Sequence, residues 1–123
     1  MAGWLGSVGA ALGALGVALG AFGAHGLKDR VEPRLIQVWE TAASYQMWHA
    51  LAIVAVALLL RREDIPAARV AGWAFLIGTV IFSGSLYTLV LSGKGWLGAV
   101  TPLGGTALIV GWCALAWALW TNS

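Results

Sequence analysis

The chain has 123 residues, enough for one domain, of which 60% are hydrophobic and only 10% charged, with a net charge of +2. A water-soluble domain carries about 25% charged residues, so this composition excludes a surface built for water and predicts a protein whose solvent is lipid. The small, dispersed charge excludes nucleic-acid binding, and the single cysteine, Cys113, excludes an internal disulfide.

Residues 3–27 form the first expected span. The apolar run, about 25 residues long, is enough to cross a hydrocarbon core of roughly 30 Å. A signal peptide should have a basic start and a shorter apolar core. No Lys or Arg precedes Lys28, so the segment reads as a mature transmembrane helix. Its glycines stand at 3, 6, 9, 13, 16, 20, 23 and 26. Such a seam, here including Gly9, Gly13, Gly16, Gly20 and Gly23, lets two helix backbones approach closely in lipid. It serves either packing within the chain or the contact of a homo-oligomer.

The span closes at His25, and charge follows at once with Lys28, Asp29 and Arg30. Pro33 suits the first turn of a second helix, expected over residues 34–60. Its first part is amphipathic, with Gln37, Glu40, Thr41, Ser44, Tyr45 and Trp48 on one broad face and His49 at its edge. Its second part is purely apolar. Arg61, Arg62, Glu63, Asp64 and Arg69 mark the next loop. A third helix is expected over 70–91, and a glycine-rich turn carrying Lys94 leads to a fourth over 99–120. Together these make one transmembrane domain covering residues 1–123. An even number of spans puts both termini on one face. Of the eight tryptophans, all but Trp112 then fall at or near two interfacial belts. The Lys and Arg of the two faces nearly balance, so orientation stays open.

Counting depth at 1.5 Å per residue, Tyr45 lies about 6 Å inside the first-loop face and His49 about 12 Å. On the same count Tyr87 lies about 6 Å and Ser83 about 12 Å inside that face. His25 and Thr101 lie within a turn or two of it. All four helices thus bring polar residues to the same half of the membrane. Intramembrane ionisable groups usually face inward and mark functional sites, so His25, Glu40, Tyr45, His49, Ser83, Tyr87 and Thr101 are the candidate binding residues. Each also has a structural role open to it. His25 suits a helix C-terminus. His49 suits a hydrogen bond to Tyr87, Ser83 or a backbone carbonyl. Glu40 suits a pair with Arg34 or Lys94. Two histidines without H-x-x-x-H or E-x-x-H spacing do not make a metal site, and no cofactor is expected. No nucleophile elbow, P-loop or paired carboxylate points to an enzyme.

Four motifs carry a resemblance. They are Gly20-Ala21-Phe22-Gly23-Ala24-His25-Gly26-Leu27, the stretch from Trp39 to Leu51, Phe82-Ser83-Gly84-Ser85-Leu86-Tyr87, and Thr101-Pro102-Leu103-Gly104-Gly105. In this order they resemble the signature of the YgdD/YwdK-like small membrane proteins, a domain-of-unknown-function family. The resemblance implies an integral membrane protein of four helices and no established reaction. The expected fold is an all-α membrane four-helix bundle with short loops. The leading functional reading is an accessory or scaffold protein of the cell inner membrane, surrounded by lipid and packing with itself or with a larger complex. The alternative is binding or transport through a polar pocket near the first-loop face.

Overall fold

The structure is a computed structural model and describes residues 1–122. It is all-α, with α1 (Ala2–His25), α2 (Pro33–Arg62), α3 (Pro66–Ser92) and α4 (Thr101–Thr121), and a short 3-10 turn, Gly95–Ala99, before α4. The shortest of the four has 21 residues, or roughly 31 Å at 1.5 Å per residue, so each helix is long and apolar enough to cross a bilayer. The protein is an integral membrane four-helix bundle with both termini on one face.

The helix ends follow from local chemistry. Pro33, Pro66 and Pro102 sit in first turns, where a missing N–H costs little. Helix α3 therefore starts at Pro66, earlier than the expected residue 70. It stops at Gly93, whose φ of 72° is the left-handed conformation that glycine adopts freely.

The helices pack in sequence: α1 on α2, α2 on α3, and α3 on α4. Helices α1 and α4 share no such packing and lie on opposite flanks of the central α2–α3 pair. The molecule is thus two antiparallel hairpins joined along α2 and α3, with an open groove on each flank. Its main core gathers Leu5, Ile53, Val56, Ala68, Phe75 and Leu108, and a smaller cluster of Leu27, Trp39 and Val90 lies toward the first loop. Large apolar side chains such as Leu51, Val80, Ile109 and Trp117 point outward, as a lipid-facing surface requires.

Each hairpin closes on glycine. The α1 seam faces α2. A Cβ added at Gly16 would meet Met47, one at Gly9 would meet Ile53, and one at Gly23 would strike the Trp39 ring. Cβ atoms at Gly13 and Gly20 would only touch Ala50 and Ala43, each at 3.9 Å. In the second hairpin Gly104 lies under Phe82 and Gly111 under Phe75, again seven residues apart on each helix. Within the chain, Gly9, Gly16 and Gly23 of the seam are thus covered by α2.

The tryptophans depart from the two-belt expectation. Trp4 packs against Trp73 with the rings tilted and their centroids 5.3 Å apart, and Trp117 and Trp120 are exposed toward the same end. Trp96 is exposed at the other end. Trp39, however, is 2% exposed and belongs to the core. Trp48 lies half-way along α2, and Trp112 half-way along α4.

Candidate functional site

In hydrocarbon a backbone carbonyl already bonded within its helix can still accept a second donor, provided nothing covers it. Helical side chains lean back over the turn N-terminal to them, so the residue four positions on shields a carbonyl. At Gly16 and Gly23 that shield is missing. The uncovered carbonyls of Leu12 and Leu19 each take a donor from α2: Gln46 Nε2 at 2.8 Å and Trp39 Nε1 at 2.7 Å. Leu12 and Leu19 are seven residues apart, as are Trp39 and Gln46. The two bonds therefore fix one antiparallel register. The third position of the repeat is apolar, with Ile53 lying against Gly9.

The network continues to α3. Tyr87 donates its hydroxyl to Gln46 Oε1 at 2.8 Å, and Ser83 donates to the Ala42 carbonyl at 2.7 Å. Thr101 and Ser85 share a hydrogen bond of 2.6 Å between α4 and α3. On the other flank Trp112 Nε1 donates to His49 Nε2 at 3.0 Å. An indole N–H can only donate, so His49 Nε2 accepts. His49 Nδ1 then carries the proton and donates it to the Tyr45 carbonyl at 2.7 Å. The imidazole is a fixed neutral tautomer, with Phe75 and Trp112 packed on it.

The seven candidate residues do not form one pocket. Tyr45 and His49 line a cleft between α2 and α4. Ser83 and Tyr87 line the opposite groove, between α1 and α3. Thr101 is tied to Ser85 and is not among the lining residues of either. His25 is exposed in the last turn of α1. Glu40 is exposed and pairs with neither Arg34, whose partner is Glu32 at 3.5 Å, nor Lys94. The expected polar stripe of α2, Gln37, Glu40, Thr41, Ser44 and Trp48, faces away from the other helices. His49 is also deeper than its expected 12 Å. Its neighbour Ala50 lies beside Gly13, half-way along α1. His25 stands twelve residues from Gly13, so the two histidines are separated by roughly 18 Å along the bundle. Among the described residues no three His, Cys, Asp or Glu side chains group as metal ligands would.

The cleft between α2 and α4 has a volume of about 780 Å³, within the range of ligand pockets. One wall is Pro102, Gly105, Thr106, Ile109 and Trp112, at helical spacing along α4. The other holds Tyr45 and Trp48, whose rings are 5.1 Å apart. Phe82 stacks on Tyr45 at 4.4 Å and closes the floor. Trp39, Gln46 and Trp112 were not among the candidates. The repeat of seven that Trp39 and Gln46 share with the α1 glycines is the signal that marks those two.

A family model described as "Protein of unknown function (DUF423)" matches residues 19–105. The membrane protein YwdK of Bacillus subtilis is 45% identical over 91 residues, covering 73% of this chain and 74% of its own. A membrane protein of Staphylococcus epidermidis is 43% identical over 93 residues, covering 76% of this chain and 75% of its own. One from Haemophilus influenzae is 42% identical over 94 residues, with coverage of 76% and 75%. All three carry the family label UPF0382 and are named only as membrane proteins. No solved structure matches the chain.

Proposed function

Because the chain belongs to the DUF423 family of membrane proteins, we propose that it is an accessory subunit of a bacterial inner membrane that acts by helix packing and carries no catalytic centre. The open cleft between α2 and α4 supports this reading. A groove in a bilayer is filled either by lipid tails or by another helix. Here Gly105 and Thr106 form a small-residue strip on one wall, which favours close approach of a second backbone. Tyr45, Trp48 and Trp112 supply the large rings that typically anchor an interface. The partner is therefore a transmembrane helix from outside this chain, lying along α4.

Gly105→Leu tests the reading, because a Cβ there meets only the edge of the Phe82 ring, at 3.8 Å, and the residue lines the cleft. Excised from native membranes with its own lipid, the wild-type chain is expected in an assembly heavier than one copy. Gly105→Leu should release it as a single copy with unchanged thermal unfolding. A wild-type chain that emerges as a single copy overturns the proposal. The mass of the assembly distinguishes a second copy from a different protein.

A further inference from the structure

A further groove of about 240 Å³ opens between α1 and α2, near the membrane face that holds the termini. One wall is α1, with Gly3, Gly6 and Ser7, and the other is α2, with Val54, Leu58 and Arg61. No residue of α3 or α4 lines it, so it opens toward the bilayer and not into the bundle.

Its two polar side chains have no partner within the chain. The ion pairs of the described residues are Arg34 with Glu32 and Arg69 with Asp64, and Arg61 enters neither. Ser7 makes no hydrogen bond among the described residues, although it is exposed on a helix surrounded by lipid. A hydroxyl inside a helix ordinarily returns to the carbonyl four residues back, as those of Thr41, Thr88 and Thr106 do. An unpaired polar group in contact with hydrocarbon is costly, so Ser7 calls for an acceptor from outside the chain.

The depths of these residues follow the order of groups along a phospholipid. Arg61 ends the apolar run of α2 and stands where hydrocarbon gives way to headgroups. Gly6 lies against Ala57, which puts Ser7 roughly 6 Å deeper than Arg61. Val54 lies deeper still, and Leu58 is 57% exposed along the same face of α2. Phosphate, ester oxygens and acyl chain succeed one another in the same direction. A guanidinium pairs with a phosphate through two parallel hydrogen bonds, whereas a free phosphate at Arg61 would leave Ser7 and the apolar wall unused.

We propose that this groove binds one phospholipid. Arg61 holds its phosphate, Ser7 Oγ donates to an ester oxygen, and an acyl chain lies on Val54 and Leu58. Gly3 and Gly6 leave room for the glycerol. The site shares no residue with the cleft assigned to a partner helix.

The test titrates phosphatidylglycerol into the detergent-solubilised full chain and counts bound lipid per chain by native mass spectrometry. Saturable binding of one lipid is expected. Arg61→Gln should weaken it about five-fold, the usual worth of one cation at a lipid surface. Arg62 is equally charged and exposed but does not line the groove, so Arg62→Gln should leave the affinity unchanged. At Gly3 a Cβ meets nothing within 4 Å; Gly3→Leu keeps every charge and should weaken binding by narrowing the groove. Excess inorganic phosphate should not displace the lipid. Equal losses in Arg61→Gln and Arg62→Gln would reduce the effect to general surface charge and overturn the proposal. Unchanged binding in Arg61→Gln, or displacement by inorganic phosphate, would overturn it as well.

Discussion

At the scale of single residues, His49 and Trp112 explain each other. Trp112 is the tryptophan that the expected interfacial belts left out, and its N–H is satisfied in the middle of the bilayer by His49 Nε2. Interhelical hydrogen bonds in membranes average about 0.6 kcal/mol and reach about 1.7 kcal/mol. Trp112→Phe keeps a ring against Phe75 and removes only the donor and part of the packing. Combined with His49→Leu in a double-mutant cycle, read by unfolding in mixed micelles, it should give a coupling within that range. Zero coupling would show that the bond contributes nothing. A histidine of this kind was legible in the sequence as a buried imidazole. Its indole partner was not, because the two are 63 positions apart and no local pattern connects them.

At the scale of helices, glycine alone does not decide tolerance; what lies above it does. A Cβ at Gly13 meets only the Ala50 methyl, at 3.9 Å. A Cβ at Gly104 meets the backbone of Phe82, and backbone cannot rotate away. Gly13→Ala should therefore be neutral or slightly stabilising, since Ala favours helix by up to about 1 kcal/mol. Gly104→Ala should cost about 1–3 kcal/mol, the usual range for overpacking. Paired thermal melts in detergent check the contrast, and equal effects would contradict the seam geometry. The α1 seam was readable because its glycines recur at steps of three and four. The α3–α4 seam was not, because two glycines and two phenylalanines spaced by seven are too sparse to stand out.

At the scale of the whole molecule, four apolar stretches sufficed to give four spans with the termini together. They also fix which loops share a face. With Cys113 replaced by Ser, cysteines placed at Lys28 and Lys94 should react with an impermeant thiol reagent from one side of sealed vesicles. A cysteine at Asp64 should react only from the other. Labelling of Lys28→Cys and Lys94→Cys from opposite sides would contradict the fold. Depth along each helix was also partly readable, but depth says nothing of direction around the helix axis. Ser83 and Tyr45 sit at similar heights and yet open into grooves on opposite flanks, because α1 and α4 never close on each other. That geometry, hidden from a count of residues, is why the expected single pocket separates into two.

The uncovered carbonyls of α1 also bear on the order in which the chain is made. Between Ser7 and His25 the first helix has no polar side chain, so it enters the bilayer owing nothing to a neighbour. The second helix then delivers Trp39 and Gln46 onto acceptors already waiting there. His49 is different: its outer nitrogen stays unmatched until the last helix leaves the ribosome carrying Trp112. A nascent chain halted after α3 therefore presents an open imidazole to lipid, a mark by which an unfinished copy differs from a finished one.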